Sequence, residues 1–149
     1  MAASHYRDLR AWQLAYAFKL GIYDLVRGPL ANDYALRDQL RDAAASAPSN
    51  ISEGFGRFDP GDFARLVKIA KASLMECQNH LQDAVDRGYI SCEVRDEHTA
   101  RSNDALKEIG GLIDYLQSPD AKRNAERIRR ARVERRRQRI QSQEKKRNR

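Results

Sequence analysis

Regularly spaced small and apolar residues between residues 63 and 88 constrain the fold more than any other feature of the chain. They recur at alternating four- and three-residue steps: Phe63, Val67, Ala70, Leu74, Cys77, Leu81, Ala84 and Gly88. This seven-residue repeat is typical of long helices that pack nearly parallel to one another. Asp59 and Pro60 precede it, an N-cap followed by the proline favoured at the first helical position. The pattern predicts a long, packed helix.

Residues 9–26 predict an earlier helix. Its large side chains recur at helical steps and indicate one buried face: Leu9, Trp12, Tyr16, Leu20, Tyr23 and Val26. Asp8 is the expected N-cap of this helix, and Gly28-Pro29 is the expected stop.

Two further helices complete the body of the chain. One starts near residue 32 or 33, and its buried face is expected to contain Leu36, Leu40, Ala43, Ala47 and Ile51. The other, capped by Ser91 or Cys92, runs to about residue 116, with a buried face of Val94, His98, Ser102, Ala105, Ile109, Leu112 and Leu116. No segment alternates with the two-residue period of a strand. Residues 1–117 are therefore predicted to form an all-α, antiparallel up-down four-helix bundle.

Charge divides the chain at residue 117. Residues 1–117 carry 14 Lys/Arg against 17 Asp/Glu, a net charge of −3, whereas residues 118–149 carry 14 against 4, a net charge of +10. The second segment has only three large apolar residues, Ile128, Val133 and Ile140, too few for a core face. We expect a C-terminal Arg-rich extension, helical or disordered when free, that orders on a polyanion.

Nucleic acid, RNA in particular, is the partner that this extension favours, because the guanidinium fork of arginine makes bidentate contacts to phosphate. A protein partner or a purely solubilising role are the alternatives. The candidate phosphate contacts are Arg127, Arg129, Arg130, Arg132, Arg135, Arg136, Arg137, Arg139, Lys145, Lys146 and Arg147. Such contacts read no base sequence.

Patterns for catalysis and metal binding are missing from the sequence. Cys77 occupies a core heptad position and, with Cys92, forms no C-x-x-C pair. Glu76 and His80 lie four residues apart, but no second cluster completes a metal site. We expect no enzyme activity, no metal and no cofactor. The absence of a long apolar run predicts a soluble, cytoplasmic protein.

The segment "SAPSNISEGFGR", residues 46–57, is interpreted as the end of the second helix. Pro48 should kink that helix, with Asn50 among the polar residues that cover the freed backbone, and glycines should end it near Arg57. Two alternatives stay open. Asn50, Glu53 and Arg57 could bind a partner, or Glu53 could hold a metal with Asp59 or Asp62 in a nuclease.

Four segments together resemble the four-helix bundle proteins encoded within intervening sequences of bacterial 23S ribosomal RNA genes, also labelled S23. They are "LRAWQLAYAF", "DYALRDQLRDAAASAPSNISEGFGR", "FARLVKIAKASLMECQNHL" and "RGYIS". The resemblance covers residues 7–117 and implies a ring-like homopentamer with no established enzymatic activity and an RNA-related role. The accessory protein of diversity-generating retroelements, which binds reverse transcriptase and its RNA, is a more distant likeness.

The resemblance also identifies signature positions that serve as a candidate partner site: Gln39, Arg41, Asn50, Glu53 and Arg57. Asp42 departs from the family pattern, which usually has a second arginine there, and this places the expected RNA contacts on the tail. The first hypothesis is a non-enzymatic, RNA-binding homopentamer. The alternative is a protein-interaction adaptor that assists a reverse transcriptase or another nucleic-acid enzyme.

Overall fold

Five α-helices make up almost all of the structure, a computed structural model that describes residues 3–57 and 59–147, with side chains as far as residue 144. The helices are α1 (Arg10–Arg27), α2 (Tyr34–Gly56), α3 (Pro60–Asp86), α4 (Cys92–Gln117) and α5 (Pro119–Arg147), and a short 3-10 helix, Tyr6–Asp8, precedes α1. These described residues contain no strand. The all-α prediction is confirmed.

Side-chain caps begin four of the helices, and the caps of α2, α3 and α4 lie where the sequence predicts them. Asp33 accepts a hydrogen bond from the Leu36 N–H at 3.1 Å, and Asp59 accepts one from the Asp62 N–H at 2.9 Å. The Ser91 hydroxyl does the same at the start of α4, and the Ser118 hydroxyl does so at the start of α5. Each cap satisfies a backbone donor that has no partner inside its own helix.

The start of α1 differs from the prediction. Asp8 does not cap α1, because its carboxylate accepts hydrogen bonds from the backbone of Ser4 and His5, at 3.0 and 2.9 Å. These bonds close a capping box around the 3-10 helix instead. Leu9 is the N-cap residue of α1 and offers no side-chain bond.

The first four helices, which we call the helical body, pack in a cyclic order. α1 contacts α2 and α4, and α3 contacts the same two helices. The predicted core residues of α2, from Leu36 to Ile51, are all buried, as are Val67 to Ala84 of the α3 repeat. Gly88 lies beyond α3 with φ 77°, a left-handed conformation that favours glycine at the turn.

The buried face of α1 differs from the predicted one, although Val26 belongs to both. Its core residues are Ala11, Ala15, Phe18, Ile22, Leu25 and Val26. Tyr16 and Leu20, expected in the core, are 36% and 47% exposed. At 100° per residue the observed face is turned by about a third of a turn from the predicted one. Both faces are apolar at the helical period, and the narrow side chains of Ala11 and Ala15 suit the close contact with α2 and α4 better.

Candidate nucleic-acid interface

The helix α5 carries the predicted phosphate contacts and is held to the helical body only near its start. Ala121 is buried and Ala125 is half-buried, whereas every residue from 126 to 144 is exposed. α5 contacts α4 and the neighbouring α3. At ~1.5 Å per residue, its 29 residues extend over about 44 Å. Most of this length is accessible to a partner.

The predicted arginines of α5 lie on every side of the helix. At 100° per residue, Arg127, Arg129 and Arg135 point in three different directions, and the remaining arginines fill the angles between them. Apart from Arg132, none of the arginines from 127 to 139 is ion-paired to a described carboxylate. The side chains of Lys145, Lys146 and Arg147 lie outside the described part of the chain.

Unpaired like charges of this density repel one another along a helix. An anion that follows the helix would remove the repulsion, and nucleic-acid phosphates supply regularly spaced charges of that kind. An ion pair joins Arg123 to Asp120 in the first turn of α5. The arrangement can therefore hold a phosphate backbone by charge and bidentate hydrogen bonds.

The five signature positions do not form one compact site. Gln39, Asn50, Glu53 and Arg57 share one side of α2 by the helical step, spread over about 27 Å, and Arg41 lies on the opposite side. Arg41 bonds the carboxylates of Asp42 and Asp38, at 2.9 and 3.1 Å, and these bonds raise the pKa of its guanidinium. Glu53 pairs with Arg57, whose pKa it raises.

Polar side chains link α2 to α3 beside the helical proline. Pro48 is buried inside α2, which continues without interruption to Gly56. The Asn50 side-chain amide donates to the Ser46 carbonyl and hydroxyl, at 2.9 and 3.0 Å. The Ser73 hydroxyl of α3 donates to the Ser46 hydroxyl at 2.9 Å. In this structure Asn50 therefore belongs to the hydrogen-bond network that connects α2 to α3 through Ser46.

Gly54 allows the ends of α2 and α3 to approach closely. A Cβ atom added at Gly54 would lie 2.3 Å from Cδ2 and 3.3 Å from Cα of Phe63. The Phe63 ring also packs edge-on against Phe55, with centroids 6.3 Å apart. A Cβ at Gly56 would meet nothing within 4 Å. The two glycines at the end of α2 therefore have different roles.

Cys77 and His80 were among the candidates for catalytic or metal chemistry. Burial raises the pKa of the Cys77 thiol to about 12, which leaves it protonated near neutral pH. His80 lies 3.4 Å from Glu76 as an i, i+4 pair. Among residues 3–57 and 59–144, no group of three or more His, Cys, Asp or Glu side chains could hold a metal ion. None of the described helices combines the length and apolarity needed to cross a membrane.

The structure adds three cations that the sequence did not single out. Arg65 and Lys68 of α3 line a cleft of about 350 Å³ together with Lys122 of α5. The i, i+3 spacing of the first two is visible in the sequence. Their approach to a lysine more than fifty residues further along the chain depends on how α5 packs.

A solved structure shares this fold. It is the crystal structure of a protein with unknown function from the S23 ribosomal protein family of Bacteroides thetaiotaomicron VPI-5482. The TM-score is 0.64 at 19% sequence identity, and the match covers 72% of this chain and 99% of that one. No curated protein matches the chain.

A protein-family model also matches the sequence itself. The model of the 23S rRNA-intervening sequence protein matches residues 7–113, which include the α2 signature segment and the whole of α3. The match leaves the whole of α5 outside, so the Arg-rich helix is an addition to the shared part. The chain belongs to the 23S rRNA-intervening sequence protein family.

Proposed function

We propose that this protein binds RNA through α5 and acts by binding rather than by catalysis. One observation carries the proposal: α5 presents a dense set of exposed arginines that, Arg132 aside, lack carboxylate partners among the described residues. The segment that contains it has a net charge of +10, set beside a body of net charge −3. Phosphate contacts of this kind give salt-dependent affinity without base readout.

The body is proposed to be an antiparallel up-down four-helix bundle that assembles as a homopentamer, as the family likeness implies. The cyclic contacts of α1 to α4 support the bundle. The exposed face of α1 supports self-association, since Trp12 stacks on Tyr16 with centroids 4.7 Å apart and Leu20 follows one turn later, 47% exposed. Apolar patches of this kind mark protein interfaces.

Several copies of α5 on one ring would strengthen RNA binding. Each arm alone binds weakly, but one RNA that reaches several arms gains avidity without any new contact. Leu20→Glu should lower the oligomer mass in sedimentation and weaken RNA binding while helicity is retained. An unchanged mass would contradict the role of the α1 face.

Deletion of residues 118–149 tests the RNA proposal directly. The truncated chain should keep its helical circular dichroism and lose its salt-sensitive binding to labelled RNA. If six or so arginines contact phosphate, the affinity of the full chain should fall by about 10³-fold between 50 and 200 mM salt. Undiminished binding by the truncated chain would refute the proposal.

A second pair of variants tests whether the charge of α5, rather than its other exposed side chains, is what binds RNA. The triple change Arg135→Gln, Arg136→Gln and Arg137→Gln removes three exposed cations and keeps residues that favour helices. It should weaken RNA binding and flatten the salt dependence. The control Ile140→Ala removes an exposed apolar side chain from the same helix and should bind as the native chain does.

A second candidate function is an adaptor for a reverse transcriptase or another nucleic-acid enzyme. It is favoured by three exposed apolar residues on α5: Ile128, Val133 and Ile140, each close to half exposed. A helix that contacts only phosphate has no use for them, whereas a protein partner would bury them. Co-purification with such an enzyme would support this candidate, and equal RNA affinity with and without the enzyme would count against it.

A further inference from the structure

Most arginines of the helical body, six of nine, are paired with nearby carboxylates. Six of the arginines in residues 10–117 form ion pairs: Arg37, Arg41, Arg57, Arg87, Arg95 and Arg101. Their partners lie on the same helix or on a neighbouring one. Pairing of this kind leaves little net attraction for an external anion.

The first half of α3 carries three cations outside these pairs. Arg65, Lys68 and Lys71 follow one another at i, i+3 steps, are all exposed, and have no ion pair among the described residues. Like charges at this spacing destabilise a helix by a few tenths of a kcal/mol per pair. Nothing in the packing of α3 requires three cations on its exposed side.

Two of these cations meet α5 across a concave surface. Arg65 and Lys68 line the cleft of about 350 Å³ with Lys122 of α5, and its other lining residues, such as Ala64 and Gln117, are uncharged. Three cations thus converge on a cleft without a carboxylate in its lining.

This cleft is continuous with the arginines of α5. Lys122 and Gly61 also line the adjoining cleft of about 550 Å³, whose far side is formed by Arg129 and Arg132. Asp59 and Glu126 also line that second cleft and moderate its charge. The cations of α3 therefore continue those of α5 on the surface of the helical body.

We propose that Arg65, Lys68 and Lys122 form a phosphate-binding cleft that continues the RNA interface of α5 onto α3. The inference rests on the proposed RNA binding by α5 and adds a second, fixed set of contacts to it. The cleft holds backbone phosphates of the same strand, because converging cations of this kind suit consecutive phosphates. It also orients α5 on the RNA, since its residues belong to both the body and the helix.

The test uses the full chain and a fluorescein-labelled single-stranded oligouridylate. Arg65→Gln with Lys68→Gln removes two phosphate contacts, each worth about 0.7 in the slope of log affinity against log salt. The slope should therefore shrink by about 1.4, and affinity near 0.15 M salt should fall about tenfold. The swap Arg65→Lys with Lys68→Arg keeps both charges and should restore most of the binding.

The matched control is Arg27→Gln with Lys107→Gln. It removes one exposed arginine and one exposed lysine from the body, at positions outside both clefts. The control should bind as the native chain does, which separates local contacts from loss of net charge. All variants should show native helicity by circular dichroism.

The outcomes distinguish the two proposals. If the Arg65/Lys68 variant binds as the control does while the triple arginine variant of α5 is weakened, the cleft is refuted and RNA binding by α5 stands. If the full chain shows no salt-dependent RNA binding, both proposals fall. A reduced slope confined to the Arg65/Lys68 variant supports the cleft.

Discussion

Gly54 provides the most direct test of how α2 and α3 pack. The substitution Gly54→Ala places a methyl carbon 2.3 Å from Cδ2 of Phe63, whereas carbon atoms in contact normally stand about 3.5–4.0 Å apart. The ring must therefore move by more than about 1 Å. Rotation of the ring gives incomplete relief, because Cα of Phe63 lies only 3.3 Å from the same methyl.

The expected loss of stability follows from two opposing contributions. Overpacking of a core costs about 1–3 kcal/mol in the free energy of unfolding. Replacement of a helical glycine by alanine returns about 0.5–1 kcal/mol, because the unfolded chain loses conformational freedom. Gly54→Ala should therefore be less stable than the native protein by about 1–2 kcal/mol.

Gly56→Ala is the matched control, since its Cβ would meet nothing within 4 Å. It has the entropic gain without the clash, so the difference between the two variants measures the packing cost alone. Urea unfolding followed by circular dichroism, at one fixed protein concentration, gives both values. Equal stability of the two variants would refute the close approach at Phe63. A double variant with Phe63→Leu should recover part of the loss.

Two further predictions concern the reactivity of the two cysteines and the dependence of stability on pH. Native protein should react with a thiol reagent at Cys92 alone, which is exposed, and Cys77 should react only on unfolding. Since burial raises the pKa of Cys77 from 9.0 to about 12, its contribution to stability is present below pH 9 and is lost toward pH 12, and Cys77→Ala should show less alkaline destabilisation. Equal labelling rates of the two thiols would contradict this. The hydrogen bond from the Leu36 N–H, with further bonds from Tyr89 and Arg87, holds the pKa of Asp33 below its ordinary value. The stabilisation by the Asp33 carboxylate is present above about pH 4 and is lost as the pH falls. In Asp33→Asn, the free energy of unfolding should therefore decrease less on acidification than in the native protein. An unchanged acid dependence would contradict this.

Local chemistry made the helix boundaries predictable. Asp33, Asp59, Ser91 and Ser118 each satisfy a backbone donor within three residues, so the signal that begins a helix lies beside that helix in the sequence. Asp8 was the exception, because an adjacent 3-10 turn competes for the same carboxylate. Capping predicts where a helix begins only when no second turn offers closer donors.

The Ser46–Arg57 segment was predictable in its local bonds and not in its tertiary role. The Glu53–Arg57 pair and the end of α2 at Gly56 follow from spacing. The contact of Gly54 with Phe63 and the hydrogen bond between Ser46 and Ser73 join two helices. Neither contact leaves a periodic signal in the sequence.

The sequence by itself determined that the chain is helical, where the helices after α1 begin, and that its positive charge is concentrated after residue 117, since all three depend on near neighbours along the chain. Only the tertiary structure decided which apolar face of α1 is buried. Two faces have the same period, and the choice depends on which side chains fit against α2 and α4. It also decided that Arg65 and Lys68 meet Lys122, because that juxtaposition requires α5 to pack beside α3.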